Sequence, residues 1–253
     1  MKRCKTLSKI LKIIKSKNGR LFSLLTLIVF GLLCNNHAVR YNYILDHDII
    51  AHLVPSMEPN ADSCPILPDL DTKMEIAVPV MEYNETTYAL HYNVRPGGMW
   101  QPDNCRCVHD VAVIVPYRNR PEQLKAFLHH MHPFLQKQLL NYGIFIIEQS
   151  FKKPFNRGKL LNIGFLEALK IHKYHCVIFH DVDLLPLVEY NIYACTDQPR
   201  HLSASIDSWR FNLKYETAFG GAIAMLAEHF VKCNGFSNLY FGWGGEDDDF
   251  IER

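Results

Sequence analysis

The sequence has no internal repeat and no low-complexity tract. Its 13 Gly and 13 Pro among 253 residues exclude a collagen-like chain. No second cysteine pair stands at metal spacing from Cys105-x-Cys107, which excludes a zinc knuckle. Residues 1–20 contain no acid, and residues 21–34 contain no charge of either sign. What is present is ample apolar material: 48% hydrophobic and 12% aromatic residues can build a sizeable core, so disorder over most of the chain is excluded. At about 150 residues per domain, this length allows one or two domains.

The net charge of +1 hides a split. Eight Lys and Arg residues lie in residues 1–20, which leaves 19 against 26 Asp and Glu beyond them, a body charge of −7. A basic tail on an acidic body argues against a nucleic-acid partner for the body. The next 14 residues, Leu21 to Cys34, are apolar except for Ser23 and Thr26. A comfortable membrane helix takes about 20 residues, and a secretory signal core takes about 7–15, so both readings apply. The long basic flank and the absence of a small-x-small site before Asn35, Asn36 and His37 favour a retained anchor over residues 21–37. A buried core helix ranks below both. The positive-inside bias then places residues 1–20 in the cytosol and the body in a lumen. In an oxidising lumen, some of the six cysteines at 64, 105, 107, 176, 195 and 233 should pair, in a connectivity that spacing leaves open. Asn84-Glu85-Thr86 is the one sequon without proline, a candidate glycan site.

From Tyr41 to Asp103, Pro55, Pro59, Pro65, Pro68, Pro79 and Pro96 break any helical period. Residues 38–63 read as a stem and residues 64–253 as the main domain. Order begins at Val111–Val115, a β-branched run expected as a buried parallel strand. A helix is expected from Pro121 to about Leu140 and another from Gly158 to about Lys173, with strands at Ile144–Ile147 and Cys176–Phe179. This β-α-β-α-β pattern predicts a doubly wound α/β sheet with right-handed crossovers. Such sheets bind ligands beyond the carboxyl ends of their strands, here Pro116–Arg120, Glu148–Arg157 and His180–Asp183.

The residues at those ends suit a phosphorylated ligand. Asp181 and Asp183 offer hard oxygens for Mg²⁺ or Mn²⁺, which in turn bind diphosphates. Arg118 and Arg120 can pair with phosphate, and Arg157 sits at a helix start. His180, beside the acidic pair, is the histidine in a functional position, whereas His129, His130 and His132 read as surface or half-buried residues. Phe241–Asp249 sets Trp243 among three glycines, suggesting a mobile aromatic lid, and then places four acids in a row. A helix start explains some of those acids. Four together also suggest a general base, with a sugar stacked on Trp243.

Taken together, VAVIVPYRNRPEQL (111–124), FNRGKLLNIGFLEALK (155–170), FHDVDLLP (179–186), FGGAIAM (219–225) and NGFSNLYFGWGGEDDDF (234–250) resemble the β-1,4-galactosyltransferase family. The resemblance runs from about Cys64 to Arg253. It implies a metal-dependent, GT-A-like (Rossmann-like) fold in a single-pass type II Golgi membrane enzyme. Pro116, Tyr117, Arg118, Arg120 and Arg157 would line the UDP site, Asp181 would contact the donor, and Asp183 would ligate Mn²⁺. Trp243 would close over the donor. Glu246 and Asp247 would face the acceptor hydroxyl, with Asp247 as base and Asp248 holding the acceptor sugar. The disulfides would be Cys64–Cys105 and Cys176–Cys195, with Cys107 and Cys233 unassigned.

Two departures from the family set further expectations. Ala218 stands where galactose-transferring members typically carry Tyr, which makes room for an N-acetyl group and predicts use of UDP-N-acetylgalactosamine at least as well as UDP-galactose. The family also draws a His metal ligand from beyond the position matching Arg253, so weak metal binding and slow turnover, or none, are expected of the chain as written. The expected reaction is inverting β-1,4 transfer to a terminal N-acetylglucosamine of a glycoprotein or glycolipid. The rival expectations are a truncated, inactive lumenal binding protein and a secreted soluble form.

Overall fold

The computed structural model describes residues 48–70 and 92–253, together with Thr26. The basic tail, the apolar run apart from Thr26, and Asn84 lie outside the described residues. Among the described residues, no helix is long and apolar enough to cross a membrane. The chain divides into two compact units, one of Tyr43–Ser205 with Thr217–Arg253 and one of Met1–Asn42 with Ile206–Glu216.

The larger unit opens with a single helical turn, α1 (Ile49–His52), and a short strand, β1 (Met99–Trp100). Then come β2 (Asp110–Tyr117), α2 (Pro121–Lys137), β3 (Asn141–Glu148), α3 (Arg157–Ile171) and β4 (Cys176–His180). It ends with β5 (Arg200–His201), β6 (Ala222–Leu226), α4 (Ala227–Lys232) and α5 (Glu246–Ile251). Among the described residues, six strands form one sheet in the order β1-β3-β2-β4-β6-β5. The centre matches the sequence expectation, with β2 parallel to both β3 and β4. The edges do not: β1 runs antiparallel to β3, and β6 antiparallel to β4 and β5, so the sheet is mixed.

The alternation of side chains along β2 decides which helix covers which face. Val111, Val113, Val115 and Tyr117 share one core with Phe127, Met131, Phe134 and Leu135 of α2. Ala112 and Ile114 share the other with Leu161, Phe165 and Ala168 of α3. The chain leaves β2 toward β3 on one side and returns past it to β4 on the other. Right-handed crossovers in opposite directions require helices on opposite faces. That reversal opens a crevice at the carboxyl ends of β2 and β4.

Local chemistry sets the helix ends. Pro121 occupies the first turn of α2, where its missing N–H costs nothing, and Glu122 complements the dipole. The helix stops at Lys137, short of the expected Leu140, and Leu139 turns left-handed at φ 53°. Asn156 caps α3 by accepting from the Lys159 N–H at 2.8 Å.

Residues 49–54, read from sequence as stem, instead pack on the domain. Ile49 and Leu53 are buried in the α2-side core, and the Val54 N–H donates to the Cys195 carbonyl at 3.0 Å. Their apolar spacing is too brief to stand out among the prolines. Both expected disulfides, Cys64–Cys105 and Cys176–Cys195, are formed, and Cys107 and Cys233 are free. In the smaller unit, Asp207–Trp209 forms a 3-10 turn and the Lys214 ammonium lies 5.4 Å from the centre of the Trp209 ring.

Candidate active site

The end of β2 builds the first wall. Pro116 and Tyr117 are buried, and the Tyr117 hydroxyl accepts the Arg120 N–H at 3.2 Å across a turn in which Asn119 has φ 51°. The turn sends two arginines in different directions. Arg118 donates to the Lys153 carbonyl at 3.0 Å and stacks over Phe155, while Arg120 forms an ion pair with Asp183. With Lys152 and Lys153 they line an open cleft of about 640 Å³. Four cations around an open cleft suit a polyanionic ligand.

The second wall is the start of α3. Arg157 donates from Nε to Asp181 at 2.7 Å and reaches Glu246 at 3.5 Å. Its position depends on close approach between elements. A Cβ on Gly158 would lie 2.8 Å from the Ser237 carbonyl oxygen, so only glycine lets the loop before α5 sit this near. Asn156 and Asn162 lock that loop by donating to the Asn238 and Phe236 carbonyls, each at 2.8 Å. Burial opposes the Arg157 charge, but Asp181, Glu246 and Asp247 outweigh it and hold its pKa above the ordinary value. Burial also pushes the Glu246 carboxyl up, with Arg157 only partly offsetting it.

The four consecutive acids of α5 separate by environment. Glu246 is buried against Arg157, and Asp249 pairs with Arg253 at 2.7 Å. Asp248 is exposed. Asp247 abuts Gly220, where a Cβ would come within 2.3 Å of its Oδ2. Repulsion among four adjacent acids is relieved here by Arg157 at Glu246, by Arg253 at Asp249 and by the exposure of Asp248.

The structure brings Arg157, Asp181, Glu246 and Asp247 together, and Arg120 with Asp183. Trp243 is a 90% exposed residue flanked by Gly242, Gly244 and Gly245, all at positive φ. Ala218 is buried two residues before the diglycine. Three histidine readings need correction. His180 is buried and structural: its Nδ1–H donates to the Asp181 carbonyl at 2.8 Å, its Nε2 meets the Tyr193 hydroxyl at 2.7 Å, and burial lowers its pKa to about 4. His130 and His132 are fully buried rather than at the surface or half-buried, because α2 turns that part of its surface onto the core. Sequence reasoning also passed over His201 and Ser203, which hold the Gly220 carbonyl at 2.8 and 2.9 Å. The only sequence signal near them was the diglycine itself.

No three His, Cys, Asp or Glu side chains gather as a metal cage among the described residues. Asp183 supplies one half-exposed carboxylate, already paired with Arg120. That donor set does not complete a manganese site.

Comparison with known proteins places this geometry. The family model for the N-terminal region of glycosyl transferase group 7 matches residues 63–196, more than half of the chain, and that for the N-terminal domain of galactosyltransferase matches residues 200–253. This chain belongs to the β-1,4-galactosyltransferase family. It is 54% identical over 157 residues to the Cricetulus griseus β-1,4-galactosyltransferase 4, covering 62% of this chain and 46% of that protein. It is 44% identical over 205 residues to the Homo sapiens β-1,4-galactosyltransferase 1, covering 79% and 51%. The chain thus spans about half the length of these curated relatives. Among solved structures, a mutant Drosophila β-1,4-galactosyltransferase 7 in complex with manganese, UDP-Gal and xylobiose is similar at a TM-score of 0.52 and 37% identity. That match covers 57% of this chain and 60% of the other.

Proposed function

We propose that the chain is the core of an inverting hexosyltransferase that moves galactose or N-acetylgalactosamine from its UDP-sugar, in β-1,4 linkage, to a terminal N-acetylglucosamine of a glycoprotein or glycolipid. The observation that carries the reading is the convergence of Arg157, Asp181, Glu246 and Asp247 at the crevice where the chain reverses around β2.

In this reading, the diphosphate lies along the Arg118–Arg120 cleft, where preformed cations stabilise the charge that grows as the sugar–phosphate bond breaks. Asp247 takes the proton of the acceptor hydroxyl. The freed oxygen attacks the anomeric carbon from the face opposite the departing UDP, which inverts the configuration. Asp248 holds the acceptor sugar from its exposed position on α5, and Trp243 folds over the donor to exclude water. Arg157 keeps Asp181 and Glu246 oriented from below.

Manganese dependence is part of the proposal, supported by the metal in the Drosophila relative, with Asp183 as the ligand this chain offers. Bound manganese would neutralise diphosphate charge. The described residues do not complete its cage. The absence of an aromatic ring at Ala218 supports room for an N-acetyl group. Placement as a type II Golgi membrane protein, with residues 1–20 cytosolic and residues 21–37 as anchor, is supported by the charge asymmetry and by two disulfides that require an oxidising compartment.

The test is transfer from UDP-galactose and UDP-N-acetylgalactosamine, at equal concentration with manganese, to a β-linked N-acetylglucosamine acceptor. The parent chain should form a β-1,4 product and Asp247→Asn should not. UDP binding without product would return the chain to the non-catalytic reading. Ala218→Tyr should turn the preference toward UDP-galactose, and a strong UDP-galactose preference in the parent would remove the N-acetyl argument.

A further inference from the structure

We infer that His201, with Ser203, is a positioning residue for the transfer reaction, acting on Asp247 through the Gly220–Gly221 turn. The inference rests on the functional reading of Asp247 given above.

The turn is held on every side. The Gly220 carbonyl accepts two hydrogen bonds, from His201 Nε2–H at 2.8 Å and from the Ser203 hydroxyl at 2.9 Å. The Ser203 oxygen accepts the Ala222 N–H at 2.8 Å, so the serine is pinned to the same turn from both sides. The next carbonyl, that of Gly221, accepts the Asp181 N–H at 2.9 Å. Gly221 sits at φ 81°, in the left-handed region that favours glycine, and a Cβ there would come within 2.5 Å of Ser203 Oγ. The Phe219 ring meets the His201 imidazole edge-on at 5.6 Å.

The turn thus has Asp181 on one side and Asp247 on the other. Asp247 Oδ2 would lie only 2.3 Å from a Cβ on Gly220, so the carboxylate rests directly against backbone. Any displacement of that backbone moves the candidate base. His201 is fitted to hold it still. It comes from the two-residue edge strand β5, whose other member, Arg200, is anchored by the Ile192 and Ala194 carbonyls. Because Nε2 must donate to a carbonyl, the neutral ring carries its proton there, which leaves Nδ1 a buried acceptor with no partner. An unpaired buried nitrogen is uncommon, and here it accompanies a ring placed for its other edge.

The experiment compares His201→Leu, which removes the donor, with His201→Gln, which keeps an N–H at similar reach. His201→Leu should lower kcat about 100-fold, as expected for a base displaced by roughly an ångström, with KM for the UDP-sugar within about twofold. His201→Gln should restore most of the rate. In the parent, nitrogen-15 spectra should show the Nε2–H tautomer. The Asp247 carboxyl carbon-13 shift should move in His201→Leu and return in His201→Gln. Unchanged kcat and carboxyl shift in His201→Leu would overturn the inference. So would equal losses in both variants that follow their melting temperatures. If the parent transfers no sugar, the functional reading fails alone, and the tautomer and carboxyl shift still decide whether His201 sets Asp247.

Discussion

Two arginine–aspartate pairs stand at the same edge of the sheet and differ in almost every physical respect. Arg157 and Asp181 have side chains 13% and 31% exposed and share the site with Glu246, itself 8% exposed. Arg120 and Asp183 are 53% and 48% exposed. A largely buried charge triad resists the loss of any member, because the partners left behind, Glu246 above all, are poorly hydrated. An exposed pair contributes about 0–1 kcal/mol, so an incoming ligand can separate it at little cost. In the proposed reaction the first pair serves as frame, and the second as the exchangeable surface open to a diphosphate or cation.

The largest break in this comparison should come from Arg157→Met. It strands Asp181 and Glu246 and should lower stability by about 3–5 kcal/mol in urea melts. A loss below about 1 kcal/mol would mean that solvent reaches the triad and that the frame reading is wrong.

The next effect uses burial elsewhere in the molecule. Burial lowers the His132 pKa from 6.5 to about 4. The unfolded chain binds that proton first, so the stabilisation is full above pH 6.5 and is lost as pH falls toward 4, by up to about 3 kcal/mol. His132→Asn keeps an acceptor beside the Tyr142 hydroxyl without titrating, and should flatten that arm of the stability profile.

A smaller effect of opposite sign belongs to the frame. The Glu246 pKa is raised above 4.5 by burial, so its folded form holds the proton longer. Its contribution is greatest below the unfolded value and declines as pH rises through the raised one. Glu246→Gln should remove that decline, and an unchanged profile would place Glu246 in contact with water.

The smallest stability effect should be that of Arg120→Ala, within about 0.5 kcal/mol of the parent. Its affinity for UDP should nonetheless fall about tenfold by calorimetry, because a charge-assisted phosphate contact is lost. Equal UDP affinity in parent and variant would remove Arg120 from the proposed donor cleft.

The central β-α-β-α-β unit was legible because its signals are local. Val111–Val115 is a continuous β-branched run, Pro121 marks a helix start, and Leu161, Phe165 and Ala168 line one helix face. The edge strands β1 and β5 are two residues each and carry no period of their own. Ala222–Leu226 was seen as part of a motif rather than as a strand, and only its pairing with β4 reveals its antiparallel direction. The candidate site could be assembled from sequence in its charged members, since Arg118, Arg120, Arg157, Asp181 and Asp183 fall at predicted element ends. It was not legible in His201 and Ser203, whose importance comes from a contact across a sheet edge with a turn 17 to 19 residues away.

By itself, the sequence determined the central elements, the family, and the charge split between tail and body. These rest on hydrophobic period, capping chemistry and motif order, all of which act over a few residues. Only the tertiary structure decided which acid of Glu246–Asp249 meets an arginine, which meets backbone and which meets water. That choice depends on how closely α3, the diglycine turn and α5 approach one another. The approach is set by glycines at 158 and 220, where a single added carbon would collide with the neighbouring element.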